Sequence, residues 1–128
     1  AHAARRGVAD AVRFLGFVPE ADIPALYAGM DLFVTIDWAD YRITTYEVLA
    51  ENRRVIVSDD TDADPDLLAS GYLFASAPDA TALADTIERA LATPVAWDRA
   101  RLAAYLTGFT WPVYFDRVSA RLGVSDAA

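Results

Sequence analysis

Short β-rich apolar runs alternate along this chain with stretches of helical spacing. Val12-Arg13-Phe14-Leu15-Gly16, Leu32 to Ile36, Val55-Ile56-Val57-Ser58 and Tyr72 to Ala75 each have the length and composition of a strand. Between them the spacing predicts helices. Residues 1–6 read as a helix end stopped by Gly7. Asp22 is placed to cap a short helix through Ala28 with Pro24 in its first turn. Ile43 to Glu51 is a further helix, and Asp64-Pro65 sets a cap and a first helical position for another. Asp79 caps the clearest one, where Leu83, Ile87 and Leu91 recur on one face. Pro94 divides it from a helix around Trp97 to Leu106. Thr110 caps the last helix, with Pro112 early in it and Phe115, Val118 and Leu122 as its apolar stripe, and Trp111 and its aromatic neighbours read as helix packing. Gly123 stops this helix ahead of a frayed tail, and Asp37 to Arg42 is a loop. Strands alternating with helices predict an α/β fold, a parallel sheet covered by helices. No repeat, low-complexity stretch or Pro/Gly-rich linker divides the chain, so one domain over 1–128 is expected, with 110–122 as its C-terminal helix.

Composition narrows the chemistry. A hydrophobic fraction of 55% with 23% charged residues belongs to a folded chain. The net charge of −8 repels phosphate backbones, so nucleic acid is not an expected partner, although a local pocket for one small phosphate ligand remains compatible. No apolar run has the length of a transmembrane helix, and no signal peptide is visible. The absence of Cys excludes thiolate nucleophiles, disulfides and zinc–thiolate sites, and the single His2 lies at the extreme terminus. Ser58 therefore has no base with which to build a hydrolase triad. Asp60-x-Asp62-x-Asp64 imitates half of a calcium loop, but Pro65 stands where glycine is required and Gly71 where a bidentate Glu is required. The better reading is a polar loop ending in a helix cap. No metal or cofactor is expected.

Specific words then bear on identity. Val12-Arg13-Phe14-Leu15-Gly16-Phe17-Val18-Pro19, Ile23-Pro24-Ala25-Leu26-Tyr27-Ala28 and Asp31-Leu32-Phe33-Val34 are followed by Tyr46-Glu47-Val48-Leu49-Ala50 and Val55-Ile56-Val57-Ser58-Asp59. Ala82-Leu83-Ala84-Asp85-Thr86-Ile87 and Phe109-Thr110-Trp111 complete the series. In this order the chain resembles the C-terminal, nucleotide-sugar-binding domain of the group 1, retaining glycosyltransferases of the GT-B fold. The resemblance implies a Rossmann-like sheet of about four strands here, with the first two strands of the family domain absent and Val12–Gly16 and Leu32–Ile36 as its third and fourth. It also implies that the chain, which begins with Ala1, is a piece of a longer polypeptide whose N-terminal domain binds the acceptor. The isolated chain is then expected to be inactive and prone to self-association. The parent would be a hexosyltransferase in the cytoplasm, soluble or peripheral at the membrane, with a nucleotide-sugar donor as ligand.

The family carries a Glu, seven residues, Glu motif, whose second Glu aligns with Glu47 and holds the ribose hydroxyls. An ionised carboxylate suits that role, because it accepts two charge-assisted hydrogen bonds from a vicinal diol. The plainer reading of Glu47 is a solvated helical Glu. The first Glu of the motif, which contacts the donor sugar, falls on Ala39, with Asp37 and Asp40 out of register. The glycine-rich stretch near the phosphates is replaced by Asp40-Tyr41-Arg42-Ile43-Thr44. Tyr41, Arg42, Ile43 and Thr44 are its candidate ligands, Tyr41 at an aromatic position and Arg42 as a side-chain cation. Trp38 is a candidate for stacking on a base or sugar, against the plainer reading of covering core surface. Backbone groups of Gly16, Phe17 and Val18 would touch the base. Ala39 and the glycine-free loop keep a second class of function open: a degenerate, non-catalytic Rossmann-like interaction or scaffold module.

Overall fold

The computed structural model describes residues 2–36 and 43–123. Three parallel strands, β1 (Leu32–Thr35), β2 (Arg54–Ser58) and β3 (Leu73–Ser76), form a sheet in the order β1-β2-β3. Helices connect them: α1 (His2–Arg5) and α2 (Ile23–Ala28) precede β1, α3 (Ile43–Ala50) leads to β2, and α4 (Pro65–Ala69) leads to β3. The chain ends in α5 (Ala80–Ala92), α6 (Arg99–Leu106) and α7 (Trp111–Leu122). This is the expected α/β, Rossmann-like arrangement of a parallel sheet with flanking helices.

Both faces of β2 are covered, which explains why its sequence is apolar at successive positions. Val55 and Val57 point to one face and join Leu73, Val48, Leu49, Leu67, Trp97 and Leu102 in one core. Ile56 points the other way and meets Phe74 and Ala90, with Leu83 and Ile87 of α5 packed beside them. The parallel register sets Val55 beside Leu73 and Ile56 beside Phe74, so the two cores continue across the strands. Arg54 ties the start of β2 to the end of α5. Its guanidinium donates to the carbonyls of Ala90 and Leu91, and at 2.7 Å to that of Thr93. A cation there suits the negative end of the helix.

Several expectations need correction. Val12–Gly16 is not a strand. Val12 is extended, but this segment follows a 3-10 turn at Ala9–Ala11 and pairs with nothing in the described sheet. Phe14 is 91% exposed, so neither a ladder nor a core partner holds the segment in a strand. Asp22 precedes α2 but makes no capping hydrogen bond, because it closes a 3-10 turn at Glu20–Asp22 with helical dihedrals. Thr110 makes none ahead of α7, because its hydroxyl donates to the Thr107 carbonyl at 3.0 Å. On α5 the inward face is Leu83, Thr86, Ile87 and Ala90, and Leu91 is exposed. The stripe of α7 is not covered among the described residues. Phe115 and Leu122 are exposed and Val118 is half-buried, and Trp111, itself exposed, packs along the helix against Tyr114 and Phe115. Asp37 to Arg42 and the C-terminal tail lie outside the described residues. The caps at Asp64 and Asp79 form as expected, each carboxylate accepting from two backbone amides at 3.0 Å.

Candidate functional site

Helix α3 organises the site. Thr45, Val48 and Leu49 are buried toward the sheet. The positions Ile43, Glu47 and Ala50, at helical spacing, are left on the outer stripe, and Tyr46 is half-buried against the edge of the core. Glu47 therefore reaches solvent because the helix spends its other side on the core. The glutamate lies in an open hollow of about 720 Å³ with Phe17, Val18 and Tyr27. Phe17 is 91% exposed and offers an uncovered ring at the rim. Gly16, at φ +65°, turns the backbone just ahead of it, a conformation that glycine adopts without strain.

Tyr27 connects the wall of the hollow to the core. Its ring meets Phe33 of β1 edge-on, with centroids 6.2 Å apart. Its hydroxyl lies beside the Glu47 carboxylate, and burial, followed by the charge of Glu47, pushes the phenol above its ordinary range. The phenol therefore keeps its proton, and the ionised Glu47 carboxylate beside it has lone pairs with which to accept hydrogen bonds. Two further carboxylates, Glu20 and Glu51, line the same hollow, and its described lining contains no Arg, Lys or His. Such a site favours hydrogen-bond donors such as hydroxyl and amine groups, and it repels phosphate.

The fold thus brings Glu47, Phe17 and Val18 together, three of the residues expected from the sequence, with Gly16 adjacent. Ile43 lines a separate hollow beside α7. Thr44 is half-buried on α3 and lines neither hollow. Tyr41 and Arg42 lie outside the described residues, as do Trp38 and Ala39. Sequence reasoning missed Tyr27 as the partner of Glu47. The two are twenty positions apart, on helices that precede and follow β1, so no local spacing signals the contact. Among the described residues, no helix is long and apolar enough to cross a membrane.

The family model for glycosyl transferases group 1 matches residues 1–93, which span α1 through the end of α5. No curated protein and no solved structure matches the chain.

Proposed function

Because the chain belongs to the group 1 glycosyltransferases, we propose that it supplies part of the donor-binding domain of an enzyme that moves a sugar from a nucleoside diphosphate to an acceptor with retention. The observation that carries this reading is the Glu47 hollow, which an exposed carboxylate shares with the Tyr27 hydroxyl and the exposed ring of Phe17. Glu47 accepts hydrogen bonds from the ribose diol. The ring of Phe17 offers its face to the base, and the backbone of Gly16 to Val18 runs along the base edge. The three carboxylates disfavour phosphate, so the diphosphate leaves the hollow along α3 toward Ile43. The candidate ligands of the phosphates and the donor sugar are Tyr41, Arg42, Ile43 and Thr44, named from the sequence. Acceptor binding belongs to another domain of the parent, and the chain alone gives no turnover.

The test is nucleotide affinity measured by calorimetry across nucleoside diphosphates of the common bases. Glu47→Gln keeps shape and removes charge. Hydrogen bonds to a charged group are worth about 1.5–3 kcal/mol each, so the best-bound nucleotide should weaken by about tenfold or more. A deoxyribose analogue lacking the contacted hydroxyl should bind weakly from the start and lose little more on the same substitution. That non-additivity ties the carboxylate to the hydroxyl. Unchanged affinity in Glu47→Gln would favour the second reading, a non-catalytic interaction module. The observation on that side is Ala39, with the glycine-free stretch Asp40 to Thr44, where the family carries its sugar-contacting Glu and phosphate loop.

A further inference from the structure

A second hollow, of about 610 Å³, lies at the N-terminal end of α3. Ile43 and Tyr46 contribute from α3, and Phe109, Trp111, Tyr114 and Arg117 from the segment that leads into and forms α7. Tyr46 and Phe109 stack with centroids 4.7 Å apart and make one wall. Trp111 and Tyr114 meet edge-to-face at 5.8 Å and make the other. These two rings are 64% and 55% exposed, so they are not spent on the core. Trp111, Tyr114 and Arg117 follow at three-residue intervals, which sets them down one side of α7. The guanidinium folds back over Gly108, with Nη2 3.7 Å from where a Cβ on that glycine would stand. Among the described residues Arg117 has no carboxylate partner, and none of the described lining residues is acidic.

Charge sets the two hollows apart. In a chain of net charge −8, the described lining of one hollow holds three carboxylates and no cation, and that of the other one cation and no carboxylate. They share α3, where Glu47 and Ile43 are separated by about 6 Å of helix rise. A hollow with open aromatic faces and a single guanidinium suits a ligand that joins a ring with an apolar face to an anionic group. The C–H face of a pyranose packs on an aromatic ring, and a phosphate oxygen accepts from the guanidinium.

We propose that Trp111, Tyr114 and Arg117 form a subsite for a phosphorylated sugar, with the ring on Trp111 and Tyr114 and the phosphate on Arg117. The position along α3 rests on the donor reading above, and the chemistry of the hollow does not. The phosphorylated sugar is either the glycosyl phosphate end of the donor or a separate acidic acceptor.

The probe is α-glucose 1-phosphate, titrated against the whole chain and read on the indole N–H signals of its three tryptophans, with Trp111 assigned through Trp111→Phe. Trp111 should shift saturably, and the buried Trp97 should not move. Arg117→Gln should weaken binding by about tenfold. Gly108→Asp, which sets a carboxylate against the guanidinium, should do the same without touching the helix. No saturable shift at Trp111 would overturn the proposal, and so would equal affinity in Arg117→Gln and Gly108→Asp. Equal affinity for inorganic phosphate alone would remove the role of the rings and overturn it as well. A nucleoside diphosphate that competes with the probe identifies the site with the donor end, and simultaneous binding identifies it with an acceptor. The probe carries no nucleoside, so its failure is distinguishable from failure of the Glu47 reading, which Glu47→Gln reports.

Discussion

Tyr105 points its hydroxyl at the carboxylate that caps α4, 3.0 Å from both oxygens of Asp64 and 3.2 Å from Asp66. Burial first, and then these two carboxylates, push the phenol up to about 12. The folded state therefore keeps a proton that the unfolded chain releases near pH 10. The stability from this contact is full below pH 10 and is lost as the pH rises toward 12. The chain has no Lys, so tyrosines dominate that window. Tyr27 is also raised and acts with the same sign. Tyr105→Phe should lower the melting temperature at neutral pH, by an amount corresponding to about 1 kcal/mol for one hydrogen bond. The gap between parent and variant should then close between pH 10 and 12. A gap that stays constant through pH 12 would mean that the hydroxyl does not hold its proton in the fold. At this scale legibility depended on locality. Asp64 and Asp79 were readable as caps because a cap bonds amides two and three positions on. Tyr105 and Tyr27 were not, because their partners arrive from distant elements.

Elements were legible where periodicity and burial agree. β2 and β3 read as strands because apolar residues fill both faces, and α3 and α5 because their inward positions recur at helical spacing. Val12–Gly16 has the composition of a strand, yet composition supplies only propensity, and a strand needs a neighbour to receive its hydrogen bonds. The turn into β3 shows the opposite case, one glycine fixing a join between elements. Gly71 has φ +81°, and a Cβ there would stand 2.9 Å from the Pro94 carbonyl oxygen and 3.0 Å from the Val95 Cα. Both neighbours are backbone, held where the amide of Ala96 donates to the Ser70 carbonyl at 2.8 Å. Gly71→Ala should cost about 2–4 kcal/mol, from the left-handed backbone together with the steric overlap. Gly123→Ala is the control, with φ +67° and open space around it, and should cost only about 1–2 kcal/mol. Urea denaturation of the two variants separates the terms. Equal losses would mean that the approach to Pro94 relaxes freely.

The whole molecule exposes more surface than its mass requires. Its accessible area is 9285 Å², whereas a compact monomer of 13.9 kDa has about 6,700 Å². Part of the excess is apolar and clustered. Phe14 and Phe17 are each 91% exposed on the unpaired segment before α2, and Val12 and Leu15 are exposed beside them. β1 lies at one end of the described sheet, so its outer backbone groups face no described strand. α5 packs over β3 and β2, which leaves Val34 of β1 38% exposed. An open edge beside uncovered rings invites another chain. A stable interface buries about 800 Å² on each partner, less than the excess here. The chain should therefore self-associate in a concentration-dependent way at about 10–100 µM, a range in which burying that much apolar surface is sufficient. Sedimentation velocity should show the weight-average mass rising above 13.9 kDa across that range. Phe14→Asp should push the chain back toward monomer and leave the melting temperature of dilute protein nearly unchanged, since this ring contributes almost nothing to the core. A monodisperse monomer at every concentration would show that these surfaces tolerate water. If Phe14→Asp has no effect on an associating chain, the contact belongs instead to the exposed aromatic side of α7.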